Sequence, residues 1–218
     1  MWEIEPDCKR EYLLTESDLP WIVLVRHGET EWSRLGKHTG RTDLPLTDQG
    51  RVRAIALAAR LKLLAYQQVW VSPLQRAKAT CELAGYGQQA QAVSDLLEYD
   101  YGLYEGKTTA EIRATHPGWR LFHDGCPQGE SVADIAARAD RLVSRLKAAT
   151  GNILIFSSGH LLRMLAIRWL ALPPAAAEGL LLDTASVSML GYDRHRDVPA
   201  IKLWNVSDGS GLAIGHVI

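Results

Sequence analysis

Histidine and arginine side chains follow three short apolar runs of this sequence, at the point where each run ends. The first run ends at Arg26 and His27, the second is followed by Arg76, and the third by Ser158 and His160. In open α/β sheets, ligands bind beyond the carboxyl ends of the strands. We therefore expect these side chains to meet at one edge of a sheet.

Phosphoryl transfer is the chemistry that fits this set of residues. Guanidinium groups bind phosphoryl oxygens through paired hydrogen bonds, so Arg26 and Arg76 are candidates for an anion pocket. A neutral imidazole is a competent nucleophile near pH 7, and its phosphorylated form is labile enough to hydrolyse. Each residue taken singly is more often an ordinary solvated side chain. The combination makes His27 the candidate nucleophile.

The runs that position these residues alternate with helical patterns, which predicts an α/β fold. We expect a three-layer sandwich with a mostly parallel central sheet, an antiparallel edge strand and helices on both faces. Residues 1–218 contain no repeat or linker and are interpreted as a single domain. The predicted strands are 21–25, 68–72, 152–156, 186–192 and 200–206, with a charged turn at 194–197 between the last two.

Capping residues and apolar spacing predict the helices. After the N-cap candidate Thr47, apolar residues at helical spacing are expected to face the core. After Ser131, a longer apolar stripe predicts a second core-facing helix. The stripe after Thr47 consists of Val52, Ile55, Ala56, Ala59 and Leu63, and further helices are expected at 74–83, 109–115 and 160–170. The intervening stretch 98–129 is a long excursion, of the kind that is often functional.

Composition narrows the classes of function. The formal net charge is -1, with 47% hydrophobic and 22% charged residues, which indicates a globular protein without a nucleic-acid-binding surface. The apolar runs are too short to span a membrane, and six of the first eleven residues are charged where a signal peptide would be apolar. Cys8, Cys81 and Cys126 stand far apart, which argues against disulfides and a zinc site. We expect a cytoplasmic protein.

Five ordered segments resemble the motifs of the histidine phosphatase superfamily, the phosphoglycerate mutase-like enzymes. The first, LVRHGETEW at 24–32, is similar to the family's leading motif. The others are HTGRTDLPLT at 38–47, SPLQRA at 72–77, EYDYGLYEG at 98–106 and DGCPQGES at 124–131. The resemblance extends from about residue 22 to about residue 170.

The resemblance implies roles for individual residues. His27 would accept the phosphoryl group, Arg26 and Arg76 would hold its oxygens, and Glu98 would act as general acid and then base. No metal or other cofactor is implied. The residues expected to bind phosphate or substrate are Arg26, Gly28, Trp32, Ser33, Thr39, Gly40, Arg76, Glu98, Tyr101, Gly159 and His160.

One position departs from the family. Ser158 stands where the family has a second histidine, and a serine cannot carry positive charge. Three explanations are open: an inactivating change, natural or engineered; slower catalysis without that histidine; or supply of the charge by His160 or a neighbouring side chain. Losing one preorganised charge-stabilising donor costs on the order of 10²–10³ in rate. We therefore expect weakened rather than abolished activity.

The segments at 38–40 and 101–106 look most like a branch of acid phosphatases and sugar-bisphosphate phosphatases. A small-molecule phosphate ester, with sugar phosphates preferred, is the expected partner; neither nucleic acid nor a membrane is expected. The alternatives are a phosphoglycerate mutase and a non-catalytic phosphate-ligand-binding protein. The run Leu180–Leu182 is interpreted as core, with a homodimer interface left open.

Overall fold

A computed structural model describes residues 20–193 and 198–207. The predicted turn at 194–197, Cys8 and the charged segment at the start of the sequence lie outside the described residues. The strands are β1 Ile22–Arg26, β2 Gln68–Val71, β3 Ala90–Ala92, β4 Ile153–Ser157, β5 Val187–Tyr192 and β6 Pro199–Val206. The α-helices are α1 Glu31–Arg34, α2 Asp48–Leu61, α3 Gln75–Leu83, α4 Thr109–Thr115, α5 Leu121–Asp124, α6 Val132–Ala148 and α7 Gly159–Trp169. Short 3-10 turns lie at Gly87–Gln89, Ser94–Leu96, Gly102–Tyr104 and Pro174–Gly179.

The six strands form one mixed sheet in the order β3-β2-β4-β1-β5-β6. Strands β3, β2, β4 and β1 are parallel, β5 is antiparallel to β1, and β6 is antiparallel to β5. The predicted fold class is therefore confirmed, and the last two predicted strands form the antiparallel part. The sequence did not indicate β3, α1 or α5, each of which is four residues long or shorter.

Strands β1 and β4 read as continuous apolar runs because both faces of the sheet are covered. Alternate residues of each strand enter two separate cores. On one face Ile22 and Ile155 pack with α6 and α7, and on the other Val23 and Leu154 pack with α2 and α3. Because β1 and β4 pair in parallel, with Arg26 opposite Ser157, both strands end at the same edge of the sheet, between the two helical layers.

The expectation for α2 was wrong about which face is buried. The predicted stripe is exposed, with Val52 61% and Ile55 55% accessible. The core is reached instead by the opposite side of the helix, at Gly50, Ala54, Leu57 and Leu61. Two apolar stripes compete in this sequence, and the buried one pairs two leucines with small residues that allow close approach to the sheet.

No helix within residues 20–193 and 198–207 is both long enough and apolar enough to cross a membrane. Cys81 and Cys126 are free thiols in the interior, where burial raises the pKa of each to about 12. Both thiols are therefore protonated near neutral pH and are poor nucleophiles.

The stripe of α6 gives a direct test of the larger core. Leu142 is 0% exposed, so Leu142→Ala should lower the free energy of unfolding by about 2–5 kcal/mol through lost burial and a residual cavity. Ser144→Ala, at an exposed position of the same helix, should change it by less than about 0.5 kcal/mol. Urea denaturation followed by circular dichroism measures both values. Equal losses would contradict this assignment of the buried face.

Candidate active site

His27 follows the last residue of β1 and is nearly buried, with 4% exposed. Its backbone N–H donates to the carbonyl of Ser157 at 2.9 Å, which fixes it at the end of β4 as well. Its ring Nδ1 lies 2.7 Å from the carbonyl oxygen of Gly28. A carbonyl oxygen can only accept, so Nδ1 carries the hydrogen. In the neutral ring, Nε2 then keeps its lone pair.

The charge state of His27 follows from its surroundings. Burial holds the pKa of His27 well below its usual value of 6.5, and the positive charges of Arg76 and Arg26 lower it further. The hydrogen bond to Gly28 acts in the opposite direction but is the smaller influence. The imidazole is therefore unprotonated near pH 7, which is the state that a nucleophile requires.

Arg26 and Arg76 reach this position from different elements. Arg26 ends β1, and its Nη1 donates to the carbonyl of Leu182. Arg76 lies in the first turn of α3 and is 0% exposed. Its terminal nitrogens donate to three carbonyls of one loop, those of Thr39, Gly40 and Thr42, at 2.9–3.0 Å. Among the residues that the structure describes, the Nε atoms of both arginines have no hydrogen-bond partner.

Ser158 precedes α7 as its N-cap, but its side chain does not cap the helix. It is 0% exposed, and within the described part of the chain its Oγ has no hydrogen-bond partner. The adjoining Gly159 lies against Arg26, since a Cβ on Gly159 would stand 3.2 Å from Nε of that arginine. Ser158 therefore contributes a buried hydroxyl, but no charge, next in the chain to the glycine that lies against Arg26.

Glu98 takes the capping role that Ser158 does not perform. Its Oε2 accepts from the N–H of His160 at 3.0 Å, and its Oε1 accepts from Leu161 at 2.9 Å and from Tyr99 at 2.8 Å. A carboxylate at a helix N-terminus is stabilised by these donors and by the helix dipole. Each carboxylate oxygen accepts about two hydrogen bonds, so Oε2 retains capacity for one more.

Two buried charges hold the Glu98 loop in place. Arg138 of α6 pairs with Glu130 at 2.6 Å, with both side chains at most 15% exposed. Arg138 also donates to the backbone carbonyls of Asp95, Leu97 and Glu98. The loop that presents Glu98 is therefore fixed to the face of a long helix.

His160 is held as a neutral ring. The hydroxyl of Tyr101 and Nδ1 of His160 are hydrogen-bonded at 2.5 Å, and burial raises the pKa of that hydroxyl well above 10. Burial, and then the charge of Arg163, hold the pKa of His160 well below 6.5. The lowered pKa disfavours a positive charge on His160. The charged group beside it is Arg163.

A cavity of about 250 Å³ opens in front of His27. The predicted site residues that line it are Arg26, His27, Ser33, Thr39, Glu98, Tyr101, Gly159 and His160. Arg76 and Ser158 are fully buried at positions that do not line it. Gly40 and Trp32 lie to the side: Gly40 holds Glu105 through its N–H, and Trp32 packs on Gly106.

Gly28 follows His27 in the chain, and the packing around it requires a glycine. Its N–H donates to Thr80 of α3 at 2.9 Å. A Cβ at Gly28 would stand 2.5 Å from the carbonyl oxygen of Gly50, closer than any real contact. The loop after His27 is therefore pressed against the first turn of α2 at a point where only glycine fits.

Further cavity residues were missed in the sequence, namely Gly36, Lys37, His38, Thr109, Arg163 and Leu182. The sequence could have indicated Arg163, because it follows His160 by three positions and therefore shares its helix face. It indicated His38 and Lys37 more weakly, since they adjoin the 39–40 segment. Nothing in the sequence indicated Thr109 and Leu182, which reach the cavity through long-range packing.

Fold and site together define an α/β protein with a cationic anion pocket around a neutral imidazole, at the carboxyl edge of parallel strands. A family model described as the histidine phosphatase superfamily (branch 1) matches residues 22–207. The chain therefore belongs to the histidine phosphatase superfamily, as the resemblance in its sequence motifs predicted.

Known proteins from several organisms are similar to this chain. An acid phosphatase of Mycobacterium tuberculosis is 41% identical, with 79% of this chain and 86% of the relative covered. A sedoheptulose 1,7-bisphosphatase of Saccharomyces cerevisiae is 31% identical, covering 70% and 68%. A probable phosphoglycerate mutase of Cronobacter sakazakii is 32% identical, covering 79% and 85%. The solved structure of an open reading frame product from Mycobacterium tuberculosis has a TM-score of 0.82 at 37% identity, covering 86% and 98%.

The charge state of His27 can be measured directly. In an NMR titration of the labelled imidazoles, His27 should titrate below 6.5, because burial disfavours the charged ring and two neighbouring guanidinium groups disfavour it further. Arg76→Met should raise this pKa, because it removes one of those positive charges. Lys62→Met, at an exposed position beyond α2, should leave it unchanged. A His27 that titrates above 6.5 would contradict the proposed electrostatics.

Proposed function

We propose that this protein is a phosphatase that hydrolyses phosphomonoesters of small metabolites through a phosphohistidine on His27. Membership of the superfamily and relatives named as phosphatases support the general activity. The observation that carries the mechanism is the hollow around His27. There, an imidazole with a free Nε2 adjoins guanidinium groups whose Nε atoms are available to an oxyanion.

The proposed first step transfers the phosphoryl group. Nε2 of His27 forms a bond to phosphorus while the bond from phosphorus to the ester oxygen breaks. Arg26, which lines the cavity, binds the equatorial oxygens, and the charge of the buried Arg76, which also acts on His27, helps to offset the negative charge that develops there. In this proposal Glu98, which lines the cavity, enters the step protonated: the proton on its Oε2 passes to the departing alkoxide, and Glu98 is left as the carboxylate.

The proposed second step restores the enzyme. Water attacks phosphohistidine, Glu98 accepts a proton from that water, and the bond between phosphorus and Nε2 breaks to release inorganic phosphate. The buried guanidinium groups supply the positive charge that a divalent cation supplies in other phosphatases. We therefore propose a metal-independent reaction, and activity should persist in the presence of EDTA.

Ser158 sets the expected level of activity. Its buried hydroxyl can donate one hydrogen bond to a phosphoryl oxygen, but it cannot offset negative charge. Arg163 also lines the cavity and carries a positive charge. Its guanidinium donates hydrogen bonds to the carbonyls of Ala177 and Glu178. We propose slowed turnover rather than its complete loss.

The preferred substrates are sugar phosphates, including bisphosphates. The cavity in front of His27 shares His38, Thr109, His160 and Arg163 with an adjoining cavity of about 130 Å³. Together these spaces extend from His27 past Arg163, and Lys37 lines the first of them. A leaving group with its own anionic substituent could therefore be bound by Arg163 and Lys37. The relatives named acid phosphatase and sedoheptulose 1,7-bisphosphatase support this preference for sugar phosphates.

A panel of phosphorylated metabolites tests the proposed activity. Free phosphate should be released from sugar phosphates, His27→Ala should abolish that release, and Ser158→His should raise it by about 10²–10³ through an added charged donor. Conversion of 3- to 2-phosphoglycerate without phosphate release would instead identify a mutase. Tight binding without turnover, even in Ser158→His, would identify a binding protein. An unchanged rate in Ser158→His would show that another group already supplies the charge.

Arg163 gives a test of the substrate class. Arg163→Met should raise KM about 10- to 100-fold for a sugar bisphosphate, through loss of one charge-assisted hydrogen bond. Its effect on p-nitrophenyl phosphate, whose leaving group carries no second anion, should be small. Because both substrates are measured on the same variant, a general disturbance of the fold cancels in the ratio. Equal effects on both substrates would contradict the second anion contact, and Arg163→Lys should retain part of the preference.

A further inference from the structure

The outward side of α2 carries an apolar face, formed by Val52, Ile55, Ala56, Ala59 and Leu63. All five are exposed, and the three largest are 61%, 55% and 51% accessible for Val52, Ile55 and Leu63. Val52, Ile55, Ala56 and Ala59 recur at intervals of three, one and three residues, which places them in one stripe along the helix, and Leu63 continues the stripe two residues past its end. A surface helix normally presents polar residues on this side, so the stripe has the composition of a contact surface.

The chain passes close to this face where β6 ends. Arg60 lies on the flank of the stripe, and its guanidinium donates to the carbonyls of Val206 at 3.4 Å and Ser207 at 3.0 Å. Val206 is the last residue of β6. These two hydrogen bonds fasten the end of the sheet to the last turns of α2. The residues that follow Ser207 therefore start beside the apolar face.

The following segment, 208–218, has the length and the composition to cover the face. It begins with Asp-Gly-Ser-Gly and continues with Leu212, Ala213 and Ile214, then Val217 and Ile218. The stripe from Val52 to Leu63 is about 16 Å long at the rise of an α-helix. An extended chain covers that length in about five residues. Four small or polar residues before Leu212 are enough to turn the chain onto the helix.

We propose that residues 208–218 dock on the apolar face of α2, with Leu212 and Ile214 as the contacting side chains. The segment carries one acidic residue and one histidine, which is compatible with binding to an apolar face. The positive charges near that face, such as Arg60, lie at its flank. This inference is independent of the chemistry at His27, because it concerns the opposite side of α2 from the buried core.

Disulfide trapping in the full chain tests the contact. All variants carry Cys8→Ser, and the remaining native thiols, Cys81 and Cys126, are buried. Ile55→Cys with Ile214→Cys should form an intrachain disulfide under mild oxidation. In the control, Arg51→Cys replaces Ile55→Cys at an exposed position on the flank away from Arg60. The yield should be about tenfold higher for the first pair, because docking raises its effective concentration. Peptide mapping by mass spectrometry identifies the bond.

A truncation provides the second measurement. A chain ending at Ser207 should bind a hydrophobic dye such as ANS several times more strongly than the full chain, since the face becomes exposed. Val52→Ser with Ile55→Ser should remove that increase. Equal disulfide yields from the two pairs, or a truncation without change in dye binding, would overturn the proposal. A disulfide found only between chains would also overturn it, and would assign the face to a second copy of the protein.

Discussion

Burial of two guanidinium groups beside one neutral imidazole is the constraint on which the rest of the structure depends. Removing such charges from water is costly unless hydrogen bonds replace their hydration. The loop 39–42 meets this requirement for Arg76 by turning three carbonyls toward it, and Leu182 contributes a carbonyl to Arg26. Burial lowers the pKa of His27, and the same positive charges lower it further. Thus the groups that would attract a phosphate ester also help to keep the proposed nucleophile unprotonated.

A second constraint is the start of α7, where backbone donors and a carboxylate meet. Glu98 accepts the first N–H groups of this helix, and Arg138 and Glu130 hold the loop that carries it. Because Glu98 satisfies those donors, the hydroxyl of Ser158 does not cap the helix, and it has no hydrogen-bond partner among the described residues. The fold therefore accommodates a serine at position 158.

The arrangement also separates the roles of the neighbouring polar residues. Tyr101 fixes one nitrogen of His160, and Arg163 and burial keep that ring uncharged. Arg163 is held by its bonds to Ala177 and Glu178 and lines the same cavity as Arg26 and His27. Under the proposed function, the length and charge of the ester decide whether Arg163 is contacted as well.

The sequence by itself determined the alternation of strands and helices, because apolar strand runs and their polar ends are local patterns. For the same reason its motifs placed His27, Arg26 and Arg76 at one edge of the sheet. It also identified Ser158 as the departure from the family. Only the tertiary structure decided which stripe of α2 is buried, since Val52 and Leu57 are equally apolar and the choice depends on the fit against the sheet. It likewise decided that Arg138 supports Glu98 and that Lys37, Thr109 and Leu182 line the cavity. These contacts join residues far apart in the chain, and a local pattern holds no information about such distances.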